Sequence, residues 1–516
     1  MKTKLFSNYL ENWDSKETQY FSVRHNSIIG KIGAGFNNFN EITILLLFEA
    51  FNNIFSKNKS ISANILVAND GSNKYLSFFE KQIIQKISSK QIKVLAFEKN
   101  NPVTEAFLSF SNTLTESFLL TIYLHKFNDE DKYCISFFNK NNDPLSSEII
   151  NSIIEEYKEI RMESFKENTT PNQYINFNKL LNEYTNYLLI NKFTNTSNHM
   201  LKIAIIDSPL QNTFIKKILG KNDVEYKVLK NNIRDEKPEQ IKYSILFKNT
   251  LKNIEYLFKF SYDYKKLFLY RRDYSFKYSF VYKLIDISNL LCNYLSFINN
   301  YVQTNEEFKQ ISNIYASHFV KKEYLINICS RYKINLDFSW KFENKKHTEN
   351  NFLYFDESYN VYLKNNKKIK YDSFIFFNIL IDMLNYYQTQ GMKFEDINNQ
   401  NVNESNKLII NEFELECHEL NITDFETKLY IQDTIALLKI SSIENIKDYY
   451  KNNNEKYIAK INFHKNEWMG IKYNFSNSKL VFLVQEKEKT KGNIAKKIKK
   501  FMQKFCLKYK TPLVNF

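Results

Sequence analysis

The chain has 516 residues, 43% of them apolar, which is enough for several packed cores and excludes a disordered or collagen-like chain. Glycine is the outlier: 8 residues in all, against a usual share of about 7%, which excludes an architecture built on several glycine-rich phosphate cradles. The 72 basic and 57 acidic residues leave a formal charge of +15, but the excess is spread along the chain without an RRM, zinc-finger or helix-turn-helix pattern, so specific nucleic-acid binding is not expected.

The opening string MKTKLFSNYLENWDSK shows no apolar h-region and so no signal-peptide pattern. Gly30, Gly33 and Gly35 then fall close together. EITILLLFEAFNNIF (41–55) reads as a helix and SANILVAND (62–70) as a buried strand. A helix to about residue 89 and a strand IKVLAF (92–97) complete a βαβ unit with a parallel sheet. ESFLLTIYL (116–124) and KYCISFF (132–138) add strands, and SSEIINSIIEEYKEI (146–160) a serine-capped helix. The Asn-, Thr- and Tyr-rich segment 160–200 reads as a linker holding an extra helix.

The pattern restarts at LKIAIID (201–207), a strand, followed by the loop SPLQNT and a helix through Leu219. EYLFKF (255–260) and KLFLYR (266–271) are strand-like, and NLLCNYLSFI (289–298) is helical. A third round follows: FVKKEYLINICSRY reads as a helix, NFLYFD as a strand, and SFIFFNILIDMLNYYQTQG as a long amphipathic helix with Gly391 at its C-cap. In the last hundred residues KYIAKINFH, WMGIKYNF and KLVFLVQE alternate like antiparallel strands. The basic helix after them carries Ile494, Ile498, Phe501, Met502 and Phe505 on one face, which either covers its own sheet or lies on an anionic membrane.

No apolar run reaches the ~18 residues of a membrane helix. Cys134, Cys292, Cys329, Cys417 and Cys506 are far apart and include no C-x-x-C pair, so neither a disulfide framework nor a structural zinc is expected, and a reducing cytoplasm fits. The neighbours Cys417 and His418 lack the second ligand pair a zinc site needs. Three α/β modules and a smaller α+β module are expected, over residues 1–165, 166–300, 301–415 and 416–516.

The order of these modules and five strings within them resemble the α-D-phosphohexomutase superfamily, the phosphoglucomutases and phosphomannomutases, most of all its members from small AT-rich bacterial genomes. GKIGAGFNNFNEITI (30–44) resembles that family's R-G-x-x-G-x-G-x-N-R-M-N-x-x-T-I. SPLQNT (208–213) resembles S-P-L-H-G-T, WKF (340–342) the G-F-K-F segment, and FLYFDESY (352–359) the sugar loop F-E-E-S-Y. The helix after that loop ends, as in the family, on Y-Y-x-x-Q-G. The resemblance covers nearly the whole chain. It implies three similar mixed/parallel-sheet α/β domains and a C-terminal α+β phosphate-binding domain around a central cleft, and a place in carbohydrate metabolism.

The same resemblance implies a damaged catalytic centre. The family's phosphoserine string T-A-S-H-N-P matches Ile122-Tyr123-Leu124-His125-Lys126-Phe127, so Leu124 takes the serine position and His125 alone is retained. Its metal loop D-x-D-x-D-R matches Ser261-Tyr262-Asp263-Tyr264-Lys265-Lys266, leaving Asp263 of three carboxylates. The first-loop arginine is Ile29, the glycine before it is Ser27, and Asp70 keeps its place while the arginine after it is Ser72. Gln211-Asn212-Thr213 replaces H-G-T, and Phe475 and Lys479 lie in the string matching the fourth-domain phosphate loop. The sugar-facing residues Lys341, Asp356, Glu357 and Ser358 are kept.

Three readings follow. The first is a pseudoenzyme, a non-catalytic binding or structural subunit with a protein partner and no cofactor. The second is a sensor that holds a hexose phosphate through Asp356, Glu357 and Ser358. The third is a divergent magnesium-dependent mutase (an isomerase) using Asp263, His125 and a nucleophile the family strings do not reveal.

Overall fold

Four main sheets follow one another along the chain, in a computed structural model that describes residues 21–507 except 25, 57–63, 89–91, 99–100, 116–118, 128–130, 161–172, 190–200, 208–213, 222–223, 231–236, 302–310, 340–351, 365–372, 397–406, 418–421, 446–449, 452–454, 465, 475–478 and 491. The first contains β1 (Ser22–Arg24), β2 (Ser27–Ile32), β3 (Asn38–Phe39), β4 (Ile65–Asn69), β5 (Val94–Phe97), β6 (Leu120–Lys126), β7 (Tyr133–Asn139) and β8 (Gln173–Ile175). Its order is β1-β2-β7-β6-β4-β5-β8, with β3 on β2. The second contains β9 (Lys202–Ile206), β10 (Glu225–Leu229), β11 (Gln240–Ser244), β12 (Tyr256–Phe260), β13 (Leu267–Asp273) and β14 (Ser279–Leu284), in the order β10-β9-β12-β13-β14-β11. The third is β16-β15-β17-β18, from β15 (Asn313–Ser317), β16 (Asn335–Ser339), β17 (Phe352–Phe355) and β18 (Val361–Lys364).

One arrangement recurs in all three. A central strand (β4, β9 or β15) has a parallel neighbour on each side. The later neighbour (β6, β12 or β17) turns back at once into an antiparallel partner (β7, β13 or β18). The three restarts of the sequence are therefore three copies of one mixed sheet. The central strands β4 and β9 are apolar almost throughout, as in parallel sheets covered by helices on both faces: ILVAN in β4 is buried at every position.

The fourth module is antiparallel. β19 (Leu408–Glu416), β22 (Ser442–Asn445), β24 (Glu455–Asn462), β25 (Trp468–Asn474) and β26 (Lys479–Lys487) take the order β19-β26-β25-β24-β22, with β23 (Tyr450–Lys451) on β24 and a small hairpin of β20 (Thr434–Ile435) and β21 (Leu438–Lys439) beside them. The helix Asn493–Leu507 lays Ile498, Met502 and Phe505 into the core of this sheet, with Ile494 and Phe501 at its margin. Its apolar face covers its own module and is not offered to a membrane. Among the described residues no helix is long and apolar enough to cross a bilayer.

The chain packs as two compact units, residues 1–285 with 367–389, and residues 286–366 with 390–516. The helix Ser373–Thr389, expected to be amphipathic, is buried from Ser373 through Asn385 and again at Tyr387. A helix buried on all sides needs partners on all sides. Phe374 stacks on Phe214 at 5.4 Å, Phe377 meets Phe258 at 5.0 Å, and Asn378 Nδ2 donates to the Leu188 carbonyl. Those contacts seat it in the first unit, and Gly391 beyond its end takes φ +64°. The helix expected in the 160–200 segment is Phe177–Leu189, whose Tyr184 packs edge-on against Phe107.

The glycine cluster has a structural task. Gly35 adopts φ +105°, and a Cβ on Gly30 would lie 2.9 Å from the Asn37 carbonyl. Asn40 gathers this loop by donating from Nδ2 to the carbonyls of Gly33, Gly35 and Asn38. It also caps the helix Glu41–Ser56 in a reciprocal box: Thr43 N donates to Asn40 Oδ1, and Asn40 N donates to Thr43 Oγ1, both at 3.0 Å. Asn40→Ala is expected to lower stability by about 2 kcal/mol, a cap plus the carbonyls it leaves unmet, as read by urea unfolding.

Candidate functional site

The chemistry-bearing strings occupy equivalent places in the three repeats, the loop where β6, β12 or β17 turns into its antiparallel partner. In open α/β sheets ligands gather at these carboxyl ends. The first two loops lie in the first compact unit and face one another there. The third lies in the second unit.

Leu124 pairs with Asn69 across β6 and β4 and is 1% exposed, its side chain packed in the first module's apolar core. The alternation of β6 sends Ile122 and Leu124 into that core and leaves Tyr123 and His125 on the opposite face. His125 stacks on Tyr123 at 5.0 Å. Its Nδ1 lies 3.0 Å from the Lys126 carbonyl, which has no proton to give, so Nδ1 donates there and Nε2 accepts from the Ser136 hydroxyl at 2.8 Å. Ser136 Oγ is in turn 2.6 Å from Ser27 Oγ, its cross-strand partner. Burial holds the His125 pKa below its ordinary value, with the Asp70 carboxylate opposing.

Asp70, at the end of β4, is engaged within the fold. Oδ1 accepts from the Ser72 amide and hydroxyl, and Oδ2 from the Lys126 amide at 2.8 Å. Burial raises its pKa against those hydrogen bonds.

In the second loop Asp263 Oδ1 accepts from the Ser261 hydroxyl at 2.6 Å and the Lys265 amide at 3.0 Å. Burial pushes its carboxyl up, but the ammonium groups of Lys265 and Lys266 outweigh it and hold the pKa low. Lys265 Nζ pairs with Glu105 Oε2 at 2.7 Å, from the helix Glu105–Thr115. Desolvation acts to lower the Lys265 pKa, and Glu105 and Asp263 more than reverse it. Lys126 Nζ lies 4.5 Å above the Tyr262 ring, which joins the two loops.

This donor set does not fit magnesium. A hard divalent cation takes several carboxylate oxygens, whereas Asp263 is the loop's only carboxylate and two lysines flank it. The positive charge of the loop is supplied by its own Lys265 and Lys266 ammonium groups.

In the second unit the sugar-like loop is drawn inward. Asp356 Oδ1 accepts from the amides of Ser358 and Asn360, and Oδ2 from Asn360 Nδ2 at 2.9 Å, which closes the loop. Glu357 Oε1 accepts from Lys472 Nζ at 2.9 Å and from the Tyr457 hydroxyl at 3.0 Å. This pair is buried, with side-chain exposures of 6% for Lys472 and 4% for Glu357. Ser358 remains half-buried on the loop. Lys479 forms a surface ion pair with Glu414 at 2.7 Å. Lys341, the strings 208–213 and 340–342, His418 and Phe475 lie outside the described residues.

Glu105, Ser136, Tyr457 and Lys472 are the partners that the sequence reading missed. The last two carry no local signal, since they meet Glu357 from 100 and 115 residues away.

No family model matches the chain, and no curated protein does. Solved structures do. A protein from Thermus thermophilus described as a phosphomannomutase aligns at TM-score 0.61 and 11% identity, over 94% of this chain and 99% of that one. A phosphoglucomutase/phosphomannomutase family protein from Burkholderia thailandensis aligns at 0.61 and 12%, over 95% and 98%. Parafusin, a phosphoglucomutase from Paramecium in its open form, aligns at 0.59 and 11%, over 91% and 93%. The chain has the α-D-phosphohexomutase fold, with mixed-sheet α/β modules and a further α+β module, as its strings implied. Those likenesses speak to architecture, and chemistry has to be argued from the residues present.

Proposed function

We propose that the chain is a phosphohexomutase-fold pseudoenzyme that serves as a non-catalytic binding or assembly subunit for a protein partner. The observation that carries this reading is the packing of Leu124, an apolar side chain 1% exposed at the position matching the phosphoserine. Phosphoryl exchange through the enzyme needs an oxygen nucleophile as carrier and a cation to neutralise the moving group. The Asp263 loop is closed around its own lysines, and Asp356 and Glu357 are engaged inside the fold. The five cysteines are buried free thiols, which suits a cytoplasmic protein. The pure protein, given glucose 1-phosphate, magnesium and a hexose bisphosphate activator, is expected to form no glucose 6-phosphate. Turnover above the protein-free control overturns the reading.

A divergent mutase is the second reading, and one contact favours it: His125 Nε2 accepts from the Ser136 hydroxyl, the arrangement of a base beside a nucleophile. Against it stands the burial of Ser136, 3% exposed. Phosphate found by mass spectrometry on Ser136 or Ser27 after incubation with the bisphosphate would favour it. The sensor reading rests on Ser358, because the carboxylates of Asp356 and Glu357 are spent on closing the fold. Calorimetry of hexose phosphates against wild type and Ser358→Ala decides it, and no binding to wild type removes it.

A further inference from the structure

We propose that one end of the second sheet is a docking surface for an anionic membrane. β11 is the edge strand of that sheet and runs antiparallel to β14, with Ser244 opposite Ser279. The chain leaves β11 and enters β14 at the same end, so the turn Ile245–Phe247 and the loop 274–278 emerge side by side. Both are apolar at their tips. Leu246 is 88% exposed and Tyr278 87%, while Tyr274, Ile245, Phe247 and Phe276 lie between 41% and 61%. Scattered exposed apolar residues are ordinary, but six large ones on two adjoining loops mark an interaction site.

The surrounding charge selects the occupant. Lys242, Lys248, Lys252 and Lys277 are exposed around these loops. Of the nearby carboxylates, Glu255 is paired with Arg271 and Asp273 with Lys283, each at 2.7 Å. The Arg272 guanidinium lies 4.7 Å from the Tyr274 ring and 4.5 Å from Phe280, and donates to the Lys252 carbonyl, which ties both loops to one base. Apolar tips ringed by lysines match a bilayer with anionic headgroups. The lysines stay at the charged surface, while tyrosine and phenylalanine enter the headgroup layer. A protein interface instead seats aromatic anchors in pockets of the partner and carries few lysines. The proposal is independent of whether the chain catalyses anything, and the C-terminal helix, whose apolar face is used internally, supplies an internal control.

The test is co-sedimentation of the full chain with phosphatidylcholine vesicles, with and without one-third phosphatidylserine. The chain is expected to pellet with the anionic vesicles alone and to be released by high salt. The pair Leu246→Ser and Tyr278→Ser, and separately the pair Lys248→Glu and Lys277→Glu, are expected to weaken binding by about tenfold or more. Lys496→Glu with Lys500→Glu on the C-terminal helix is expected to leave it unchanged. All of these positions are exposed, and unchanged thermal melts confirm that each variant folds. Failure to pellet overturns the proposal. So does equal loss in the helix variant, which assigns binding to net charge, or capture of an acidic protein by these loops while vesicles stay unbound.

Discussion

Replacing Lys472 by Met is expected to destabilise the second unit by about 3–5 kcal/mol, because it leaves the Glu357 charge buried without its cation. The carboxylate and the ammonium are both almost wholly removed from water and stand 2.9 Å apart, with the Tyr457 hydroxyl on the same oxygen. In such a place the loss of one partner costs far more than the pair contributes, since desolvation of the survivor is no longer offset. The double variant Glu357→Gln with Lys472→Met is therefore expected to recover most of the loss. Tyr457→Phe removes one hydrogen bond to a charged acceptor and is expected to cost about 1.5–3 kcal/mol. Urea unfolding reads all three, and a single Lys472→Met within about 1 kcal/mol of wild type would show that the pair does not hold the loop. The result also bears on function. If Glu357 works inside the fold, its alanine variant loses ligand binding merely by unfolding, so Ser358 is the residue on which the sensor reading has to be tried.

The parallel core of this fold was legible for a simple reason. ILVAN, KIAII and FLYF are continuous apolar runs, and a strand covered by helices has to look that way. The edge strands EYKVL, QIKYS and NLDFS escaped, because strands half exposed to water carry polar residues and read as loop. The reciprocal cap Asn40-x-x-Thr43 is a helix-start signal that the sequence itself carries beside the glycines. The site divides in the same way. Leu124, His125, Asp263, Asp356 and Glu357 sit in contiguous strings that resemble family loops. What those side chains do is set by Glu105, Ser136, Tyr457 and Lys472, brought in from other elements by the sheet order. The glycine loop illustrates the limit: three closely spaced glycines do not say what they serve, and in the structure the loop's carbonyls are gathered by Asn40.

The contribution of Glu80 to the stability of the first unit is expected to fall as pH rises from about 5 to about 8, and Glu80→Gln is expected to abolish that contribution. Glu80 lies on the helix Lys74–Ser88 and is 1% exposed, with Asn69 Nδ2 donating to its carboxyl. Burial pushes its pKa from an ordinary 4.5 to about 8, against the Asn69 hydrogen bond and the Lys81 charge. Between those two values the folded chain keeps a proton that the unfolded chain has released. Folding then takes up that proton, and stability drops by about 1.4 kcal/mol per pH unit across the window. At pH 8 the accumulated loss is on the order of 4 kcal/mol. A glutamine has the shape of the protonated acid and no charge to bury, so the variant should match wild type near pH 5 and exceed it by several kcal/mol at pH 8. Thermal unfolding at the two pH values measures the difference directly. Equal melting shifts at both would mean that Glu80 is ionised in the folded chain and that Asn69, a donor already placed at the carboxyl, is sufficient to hold the charge.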